Sequence, residues 1–340
     1  MEPHLPREER AGLTTFNAIR IDKDEAGQRA AYVEMTDAEL MDGDVEIAIT
    51  HSTLNYKDGL AITGKGPIVR RFPMIPGVDL AGRVTASTHP SFGPGDNVVA
   101  GGCGMGEAHY GGLAQKARLS GDWLVPLPSG LWPQEAMTIG TAGVTAMFCV
   151  MALERFGLSP SSGAVVVTGA AGGVGSVAVA LLARAGWRVA AVTGRLEEGA
   201  YLRSLGAAEI IDRNELAASG KPLQTRRFAA GVDTVGSTTL ANILSQIDYD
   251  GAVAACGNAR GMDLPASVAP FILRGVSLLG VEAVRPRLAR RREAWTRLAR
   301  ELDHALLAEI RETIPLSQAL ARAKDLVEGK ARGRIVVEIG

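Results

Sequence analysis

The residues of this chain with the clearest capacity for chemistry lie between a β-branched run, Val165–Thr168, and an apolar segment typical of a helix. Closely spaced glycines separate the two, and glycine lets a chain turn tightly, approach a phosphate and pack a helix against a strand. We assign the tight turn to Gly169 and the close packing to Gly175. The helix N-terminus adds N–H donors and a positive dipole, so the pattern predicts a dinucleotide-binding turn. The residues predicted to contact the nucleotide here are Gly169, Gly172, Gly173, Val174, Gly175 and Ser176.

The strand after this turn indicates which dinucleotide would bind. An NAD-type site would place an Asp or Glu there, about twenty residues beyond the glycines, for the ribose hydroxyl. The segment Trp187–Arg195 has no acid and ends in Thr193, Gly194 and Arg195. A hydroxyl, an open backbone and a guanidinium suit a 2′-phosphate, so we predict NADPH. The alternative is a glycine-rich helix entry with a surface arginine, in which the missing acid would be a coincidence.

Other residues are predicted to contact the same nucleotide. Thr141 and Thr145, near a helix start, could meet the ribose or a phosphate, although threonine there is usually a helix cap. Arg213, after the third strand of the unit, could lie along the adenine or support the 2′-phosphate; a surface salt bridge is an equal alternative. Cys256 and Gly257 end a strand at the edge where such sheets bind ligands. We predict that their backbone faces the nicotinamide and that the thiol is inert.

Composition restricts the classes of protein to which the chain could belong. Its 340 residues are 46% hydrophobic and 21% charged, with a net charge of −1. This length accommodates two domains, and the charge gives no general attraction to nucleic acid or to an anionic membrane. The apolar stretches are interrupted by small residues and do not indicate membrane spans. Three widely spaced cysteines favour a cytoplasmic location, and five histidines show no metal-binding spacing. We interpret the polar residues 1–15 as a flexible extension.

Two patterns of elements position these residues. From Phe16 to about Pro128, short β-rich runs alternate with turns, which predicts a partly open β-barrel. After Pro133, strands alternate with helices, which predicts a doubly wound parallel sheet of the Rossmann type. The predicted barrel strands are Phe16–Ile21, Ala30–Met35, Val45–Leu54, Gly77–Val84, Asn97–Ala100 and Gly112–Ala117. The predicted parallel strands are Ala164–Thr168, Arg188–Val192, Glu209–Ile211, Gly231–Val235, Gly251–Ala255 and Val276–Gly280.

The C-terminal part is predicted to return to the first domain. It contains a basic helix over Arg285–Leu302, a helix over Leu316–Gly329 and a strand over Gly333–Ile339. We therefore predict an α/β chain in which residues 16–137 and 282–340 form the barrel domain. Residues 138–281 would form the nucleotide-binding domain.

Several motifs resemble one branch of a known superfamily. They are Leu54–Asp58, Met74–Gly82, Gly112–Gln115, Asp122–Pro126, Gly140–Met147, Val192–Arg195 and Leu264–Leu273. Together with the barrel and the inserted Rossmann domain, they are similar to the acrylyl-CoA reductase group of the zinc-independent, quinone-oxidoreductase-like medium-chain dehydrogenases/reductases. The resemblance extends from Phe16 to Gly340. It implies a GroES-like catalytic domain, NADPH as cofactor and a homodimer in which Val276–Leu279 pairs across a two-fold axis.

The zinc ligands used elsewhere in this architecture are replaced. Zinc alcohol dehydrogenases place a cysteine near the position of Asn55 and a His-Glu pair at the position of Val78 and Asp79. The loop that would hold a structural zinc has the single cysteine Cys103. We therefore predict no metal. Without a Lewis acid, hydride transfer suits an alkene conjugated to a carbonyl, with hydrogen-bond donors for the enolate.

The predicted reaction is NADPH-dependent reduction of the C=C bond of a short α,β-unsaturated acyl-CoA, acryloyl-CoA giving propanoyl-CoA. Hydride would go to the β-carbon and a proton to the α-carbon. Tyr56 is the candidate near the nicotinamide or substrate and a candidate proton donor; alternatively, it packs the domain interface. Asn55 is the candidate donor to the substrate carbonyl, and Asp58 is predicted to be a cap or turn acceptor.

A cluster of arginines could bind the substrate. Its members are Arg285, Arg287, Arg290, Arg291 and Arg292. Forked guanidiniums match phosphate oxygens, so Arg287 and Arg291 are predicted to clamp the CoA phosphates. A solvated basic helix face is the more common explanation of such a run. Two other functions stay open: reduction of quinones or free enones, and NADPH binding without catalysis, as in a redox sensor. The absence of a basic stripe with interleaved aromatics argues against nucleic-acid binding.

Overall fold

The computed structural model describes residues 14–340. The predicted extension, residues 1–15, lies outside the described part except for its last two residues. The strands in chain order are β1 Thr15–Asp24, β2 Gly27–Thr36, β3 Val45–Leu54, β4 Asp79–Ser87, β5 Asn97–Gly101, β6 Lys116–Leu119, β7 Leu124–Pro126, β8 Val165–Thr168, β9 Val189–Thr193, β10 Ala207–Asp212, β11 Phe228–Asp233, β12 Ile247–Ala255, β13 Ser277–Gly280, β14 Arg311–Pro315 and β15 Arg334–Glu338. The helices are α1 Tyr56–Thr63, α2 Pro133–Phe156, α3 Gly173–Arg184, α4 Gly199–Ser204, α5 Ser237–Leu244, α6 Ala269–Arg274, α7 Leu288–Glu301, α8 His304–Ile310 and α9 Ala319–Val327.

Two sheets build the predicted barrel. β1 pairs with β2 in antiparallel register, and a larger sheet has the strand order β14-β15-β3-β4-β5-β7 with β6 on β3. Isolated bridges pair Ala18 with Ala114 and Ile21 with Met74, so β1 contacts two segments that lie outside the strands. In the first half of β3 the buried residues alternate, as expected for a strand with one face against the core. The prediction of a partly open, GroES-like barrel is confirmed.

One predicted strand of the barrel is wrong over most of its length. The prediction was Gly112–Ala117, but β6 begins at Lys116. The backbone N–H of Gly112 donates to Gly77 and that of Leu113 donates to Pro76, so this segment is paired with a turn. A Cβ on Gly112 would lie 2.1 Å from the carbonyl oxygen of Asp79. The glycine therefore permits a close backbone approach that a strand pattern does not reveal.

The second sheet is parallel and has the order β10-β9-β8-β11-β12-β13. β8 lies near its centre, and all of its residues are buried, which explains the β-branched run at this position. The strand order reverses at β8: β9 and β10 are added on one side of it, and β11 to β13 are added on the other. The predicted doubly wound Rossmann domain is confirmed, and its glycine turn lies at this switch point.

The helix α2 contacts strands of both sheets, and most of its residues are buried. It is long and apolar enough to cross a membrane by length and composition, but 89% of its most apolar window is buried inside the protein. Its helical geometry is interrupted at Gly140, with φ +49° and ψ −161°. A Cβ there would lie 2.7 Å from Nη2 of Arg334 and 2.9 Å from Oδ2 of Asp79. Glycine is required at this position because both the conformation and the space exclude a side chain.

The C-terminal strand returns to the barrel as predicted. β15 lies between β14 and β3, and it is antiparallel to β3. The helices α7 and α9 fall within the two predicted helical segments. α8, β14 and the short helix α1 were not predicted. The domain boundaries after residues 137 and 281 stay predictions, and the first falls inside α2, shortly before its interruption.

Candidate active site

The glycine turn has the geometry that close approach of a nucleotide requires. Gly169 has φ +59°, and a Cβ on Gly175 would lie 2.3 Å from the carbonyl oxygen of Gly169. Gly172 is the N-cap of α3, with extended backbone. The first N–H groups of α3 therefore follow a turn built only of glycine and alanine. The hydroxyl of Ser176 donates to the carbonyl of Ala170, so this side chain stabilises the turn itself.

The end of β9 brings the four residues predicted to read the 2′-phosphate together. The buried hydroxyl of Thr193 accepts a hydrogen bond of 3.1 Å from the backbone N–H of Arg195. The exposed side chain of Arg213 covers Gly194, because a Cβ on this glycine would lie 2.3 Å from Nε of Arg213. The turn at Thr193–Arg195 is therefore associated with two guanidiniums, those of Arg195 and Arg213.

The guanidinium of Arg195 has a second set of contacts. Its Nη1 donates to the carbonyls of Gly329 at 2.9 Å and Ala331 at 2.7 Å, and its Nη2 donates to the carbonyl of Ala171 at 3.1 Å. Gly329 and Ala331 follow α9, whereas Ala171 belongs to the glycine turn. The side chain therefore contacts the Rossmann domain and the segment that leads into β15.

A buried polar network lies beneath the glycine turn. Asp79 at the start of β4 accepts hydrogen bonds from the backbone N–H of Thr141 at 2.9 and 3.0 Å, and from its hydroxyl at 2.6 Å. The side-chain amide of Asn55 donates to the same carboxylate at 2.8 Å. Nη2 of Arg334 lies 4.0 Å from it. The network therefore joins β4, α2, α1 and β15 at one point.

Arg334 is the only cation that contacts this network among residues 14–340, and it is fully enclosed. Its guanidinium donates to the carbonyl of Thr138 at 3.0 Å, Oδ1 of Asn55 at 2.9 Å and the hydroxyl of Thr53 at 3.0 Å. Burial lowers the pKa of the Arg334 guanidinium, and the negative charge of Asp79 opposes this shift. A Cβ on Gly173 would lie 3.1 Å from Cδ of Arg334, so this arginine packs directly against the start of α3.

Asp58 is a second buried carboxylate next to this network. Its Oδ1 accepts from the backbone N–H groups of Gly77 at 3.1 Å and Val78 at 3.0 Å, and its Oδ2 accepts from the N–H of Asn55 at 2.8 Å. Burial raises the pKa of Asp58 to about 6, although these hydrogen bonds lower it. Asp58 thus caps α1 and fixes the turn before β4.

The comparisons with known proteins agree with this site. The model of the alcohol dehydrogenase GroES-like domain matches residues 41–129, and that of the zinc-binding dehydrogenase domain matches residues 173–303. A protein of Ruegeria pomeroyi named acrylyl-CoA reductase AcuI is 49% identical over 327 residues, which cover 95% of this chain and 99% of that protein. The chain belongs to the acrylyl-CoA reductase family of medium-chain dehydrogenases/reductases.

Solved structures of related oxidoreductases have the same fold. The yhdH oxidoreductase of Salmonella enterica, in complex with NADP, superposes with a TM-score of 0.94 at 49% identity and covers 95% of this chain and 100% of that chain. YhdH of Escherichia coli K-12, with bound NADPH, has a TM-score of 0.93 at 47% identity, with coverage of 95% and 100%. The fold of this family member is therefore that of a dinucleotide-dependent oxidoreductase.

The contacts of Asn55 differ from the role predicted for it. Its side-chain amide donates to Asp79 and Asp58, and its carbonyl oxygen accepts from Arg334. Both amide hydrogens are thus engaged within the protein, which does not favour donation to a substrate carbonyl. We assign Asn55 a positioning role instead. The prediction that Asp58 caps a helix agrees with its contacts.

The predicted residues Tyr56, Thr141 and Thr145 have different environments. The side chain of Tyr56, at the start of α1, is 45% exposed, and no hydrogen bond to its hydroxyl is found within residues 14–340. Its ring is therefore more open than packing in the interface would require. The hydroxyl of Thr141 donates to Asp79, and that of Thr145 donates to the carbonyl of Thr141 at 2.7 Å. Both threonine hydroxyls stabilise the restart of α2 after Gly140.

That the backbone of Cys256 and Gly257 faces the nicotinamide stays a prediction, and the structure shows how tightly this segment is packed. The thiol of Cys256 contacts the carbonyl of Asp233 at 3.4 Å, and a Cβ on Gly257 would lie 2.3 Å from the carbonyl oxygen of Thr234. The backbone here is therefore packed tightly against the end of β11. The three cysteines of the chain are free.

The structure does not favour the substrate-binding role predicted for Arg291. Its side chain is buried, and its guanidinium donates to the carbonyls of Trp123 at 2.8 Å and Asp122 at 3.3 Å. It fastens α7 to the barrel and is not available to a CoA phosphate. Arg287, the exposed N-cap of α7, stays a candidate. Arg290 is also engaged, since its guanidinium lies 4.3 Å from the ring centre of Phe148.

The network contains functional candidates that sequence reasoning missed. Asp79 was noted only as a replaced zinc-ligand position, and Arg334 was not singled out at all. A single arginine at the start of the strand Arg334–Glu338 was the available signal, because a charge before three apolar positions must find a partner when the strand is buried. Within residues 14–340, no three His, Cys, Asp or Glu side chains are arranged to hold a metal.

Proposed function

We propose that this chain is an NADPH-dependent reductase of the C=C bond of short α,β-unsaturated acyl-CoA thioesters, with acryloyl-CoA as substrate and propanoyl-CoA as product. The observation that carries the proposal is the match over 95% of the chain, at 49% identity, to a protein named acrylyl-CoA reductase. The reaction adds hydride at the β-carbon and a proton at the α-carbon of the thioester. Reduction of quinones or free enones is the less favoured alternative.

The residues around the glycine turn fit NADPH. Gly169, Gly172 and Gly175 let the turn pack closely at the start of α3, and the first turn of that helix offers N–H groups to a dinucleotide phosphate. Arg195 and Arg213 would hold the 2′-phosphate, since two guanidiniums match its oxygens and its charge. When bound, NADPH supplies the hydride. Related structures that contain NADP or NADPH support the assignment.

The residues that handle the substrate belong to the same proposal. The open hydroxyl of Tyr56 is the candidate to hold the proton that reaches the α-carbon, either directly or through a water molecule. The Asp79 network keeps α1, which begins with Tyr56, fixed against α2 and β15. Arg287 would contact a CoA phosphate from the exposed end of α7. We place the enzyme in the cytoplasm, because its three free thiols fit a reducing compartment.

The primary experiment follows NADPH oxidation by the purified protein with acryloyl-CoA, crotonoyl-CoA and a simple quinone. Turnover that is fastest with acryloyl-CoA supports the proposal. Turnover with the quinone alone would instead establish the alternative. NADPH binding without turnover on any of them would indicate a non-catalytic binding protein. Repeating the assay with NADH tests the choice of cofactor, and we expect a higher kcat/KM with NADPH.

A matched pair of variants tests Tyr56. Tyr56→Phe removes the open hydroxyl, whereas Tyr32→Phe removes the hydroxyl of a tyrosine on β2 whose overall exposure is similar, 46%. If Tyr56 supplies the proton, Tyr56→Phe lowers kcat about 10²–10⁴-fold and Tyr32→Phe leaves it unchanged. Equal rates for the two variants would remove Tyr56 from the reaction.

We also propose that the enzyme is a homodimer, formed through the edge of the parallel sheet. β13 is the last strand of that sheet and pairs with β12 on one side. Large apolar side chains are exposed on β13 and on the segment before it, which natural proteins usually cover. These residues are Met262, Val268, Ile272, Leu273 and Leu278. Sedimentation of the wild type and of Leu278→Lys tests this, and a monomeric wild type would contradict it.

A further inference from the structure

The guanidinium of Arg195 lies between the glycine turn and the segment that leads from α9 to β15, residues 328–333, which we call the connector. Nη1 donates to two carbonyls of the connector, those of Gly329 and Ala331, at 2.9 and 2.7 Å. Nη2 donates to Ala171 in the glycine turn at 3.1 Å. One side chain therefore holds parts of the chain that are separated by more than a hundred positions in the sequence.

The connector is attached to the Rossmann domain on its other side as well. The backbone N–H of Gly333 donates to the carbonyl of Ala171 at 3.1 Å. The guanidinium of Arg332 lies 4.7 Å from the ring centre of Tyr201 and 3.5 Å from the carboxylate of Glu198. The exposed ion pair contributes little by itself. Because Ala171 accepts from both Gly333 and Arg195, its carbonyl is the common point of the two attachments.

The connector ends at the cation of the buried network. Arg334 directly follows Gly333, and its guanidinium holds Asn55 and Thr53 from a fully buried position. A close-packed interior leaves the Arg334 side chain no room to shift independently of its neighbours. A displacement of the connector would therefore displace Arg334 relative to α1, where Tyr56 begins the helix.

Arg195 has donors to spare. Its guanidinium carries five N–H groups, and the contacts above use three of them. Nε and the second hydrogen of Nη2 have no acceptor among residues 14–340. Unused N–H donors of a guanidinium bind phosphate oxygens well, because both are charged and their geometries match. A 2′-phosphate could therefore bind Arg195 without breaking its contacts to the connector.

We propose that Arg195 is a positioning residue, which links recognition of the 2′-phosphate to the placement of Arg334. The phosphate fixes the guanidinium, and the fixed guanidinium holds the connector against the glycine turn. The inference rests on the proposed function, in that the nucleotide binds at this turn. Since a ligand shifts an arrangement only through differential interaction, NADPH orders the connector more than NADH does.

NADH separates the two roles of Arg195, because it has no 2′-phosphate to bind. The experiment measures kcat and KM with NADPH and with NADH for the wild type, Arg195→Ala and Arg195→Lys. Arg203→Ala is the control, since it removes an exposed arginine of α4 that has no ion pair within residues 14–340. We expect Arg195→Ala to lower kcat with NADH about tenfold, within the range of coupling carried by packed networks.

Lysine should rescue only one of the two roles. Its single ammonium can bind a phosphate as a point charge but cannot span the connector and the turn as a planar fork does. Arg195→Lys should therefore recover part of the NADPH affinity and little of kcat with NADH. If Arg195→Ala raises KM for NADPH and leaves kcat and KM with NADH at the wild-type values, Arg195 only reads the phosphate and the proposal is overturned.

A second measurement needs no variant and no turnover. Amide hydrogen exchange of the wild type, alone and saturated with NAD⁺ or with NADP⁺, reports the protection of Gly333 and its neighbours in the connector. The proposal requires stronger protection with NADP⁺ than with NAD⁺, and equal protection would refute it. A wild type that binds both nucleotides but reduces no acyl-CoA would contradict the proposed function, while the exchange data would still decide the role of Arg195.

Discussion

Replacing Arg334 with methionine removes the only cation that the described residues place in the buried network, and we expect a loss of about 3–5 kcal/mol in the free energy of unfolding. Arg334 is 3% exposed and Asp79 is 1% exposed, so water cannot screen the carboxylate that is left behind. The guanidinium makes three hydrogen bonds, of 2.9 to 3.0 Å. Each leaves a buried acceptor without its donor, at a cost of about 1–3 kcal/mol before relaxation. Methionine fills a similar volume, which keeps the cavity contribution small.

The assay is urea unfolding followed by tryptophan fluorescence and circular dichroism for the wild type, Arg334→Met, Asp79→Asn and the double variant. Asp79→Asn turns an acceptor of bonds from Thr141 and Asn55 into a group that also donates, so it should destabilise as well. The free energy of unfolding of the double variant should fall by about 1–3 kcal/mol less than the sum of the two single losses, because the second substitution no longer leaves a buried charge without its partner. A loss below about 1 kcal/mol for Arg334→Met, or strict additivity, would refute the reasoning.

Three further predictions follow from the same contacts. Arg291→Met should lower the thermal unfolding midpoint and leave KM for acyl-CoA nearly unchanged. Arg287→Ala should raise KM for acyl-CoA and leave the midpoint unchanged. The reverse pattern would show that Arg291, and not Arg287, binds the CoA phosphate. Burial raises the pKa of Asp58 from the ordinary value of 3.8 to about 6, so between these pH values the native state binds more protons than the unfolded state. This group therefore makes stability fall as the pH rises from 3.8 to 6. Asp58→Asn should remove that slope in a series of melts, and an unchanged slope would assign it to other groups. Gly175→Ala, with its Cβ 2.3 Å from a carbonyl oxygen, should lower NADPH affinity, while Gly199→Ala in open space should not; titration of bound nucleotide compares the two.

The nucleotide turn and both sheets could be predicted because their signals are local. The buried parallel strand β8 requires a β-branched run, and the tight turn after it requires glycine at Gly169, so adjacent residues carry the information. The short helix α1 was missed because its start depends on Asp58 capping the N–H of Asn55, within a motif that looked like a loop. Local pattern therefore determined the architecture but not each element.

The contacts of the arginines could not be predicted in the same way, because their partners are distant in sequence and often are backbone carbonyls. Arg195 contacts Gly329 and Ala331, which no pattern near Arg195 reveals. Arg291 is different, since a signal was present. It precedes Ala294, Trp295 and Leu298 at helical spacing, and all four are buried. The periodicity of α7 thus placed Arg291 on the inner face, and the basic composition of the helix obscured it.

The position of β15 has a consequence for how the protein is made. All six strands of the parallel sheet lie between Val165 and Gly280, so they are complete once that part of the chain has left the ribosome. The barrel sheet has to wait for β15, which lies between β14 and β3 and carries Arg334. Domains generally fold as units during synthesis. The nucleotide-binding domain can therefore be folded while the N-terminal strands still lack a neighbour, and the buried network of Asp79 and Arg334 forms last.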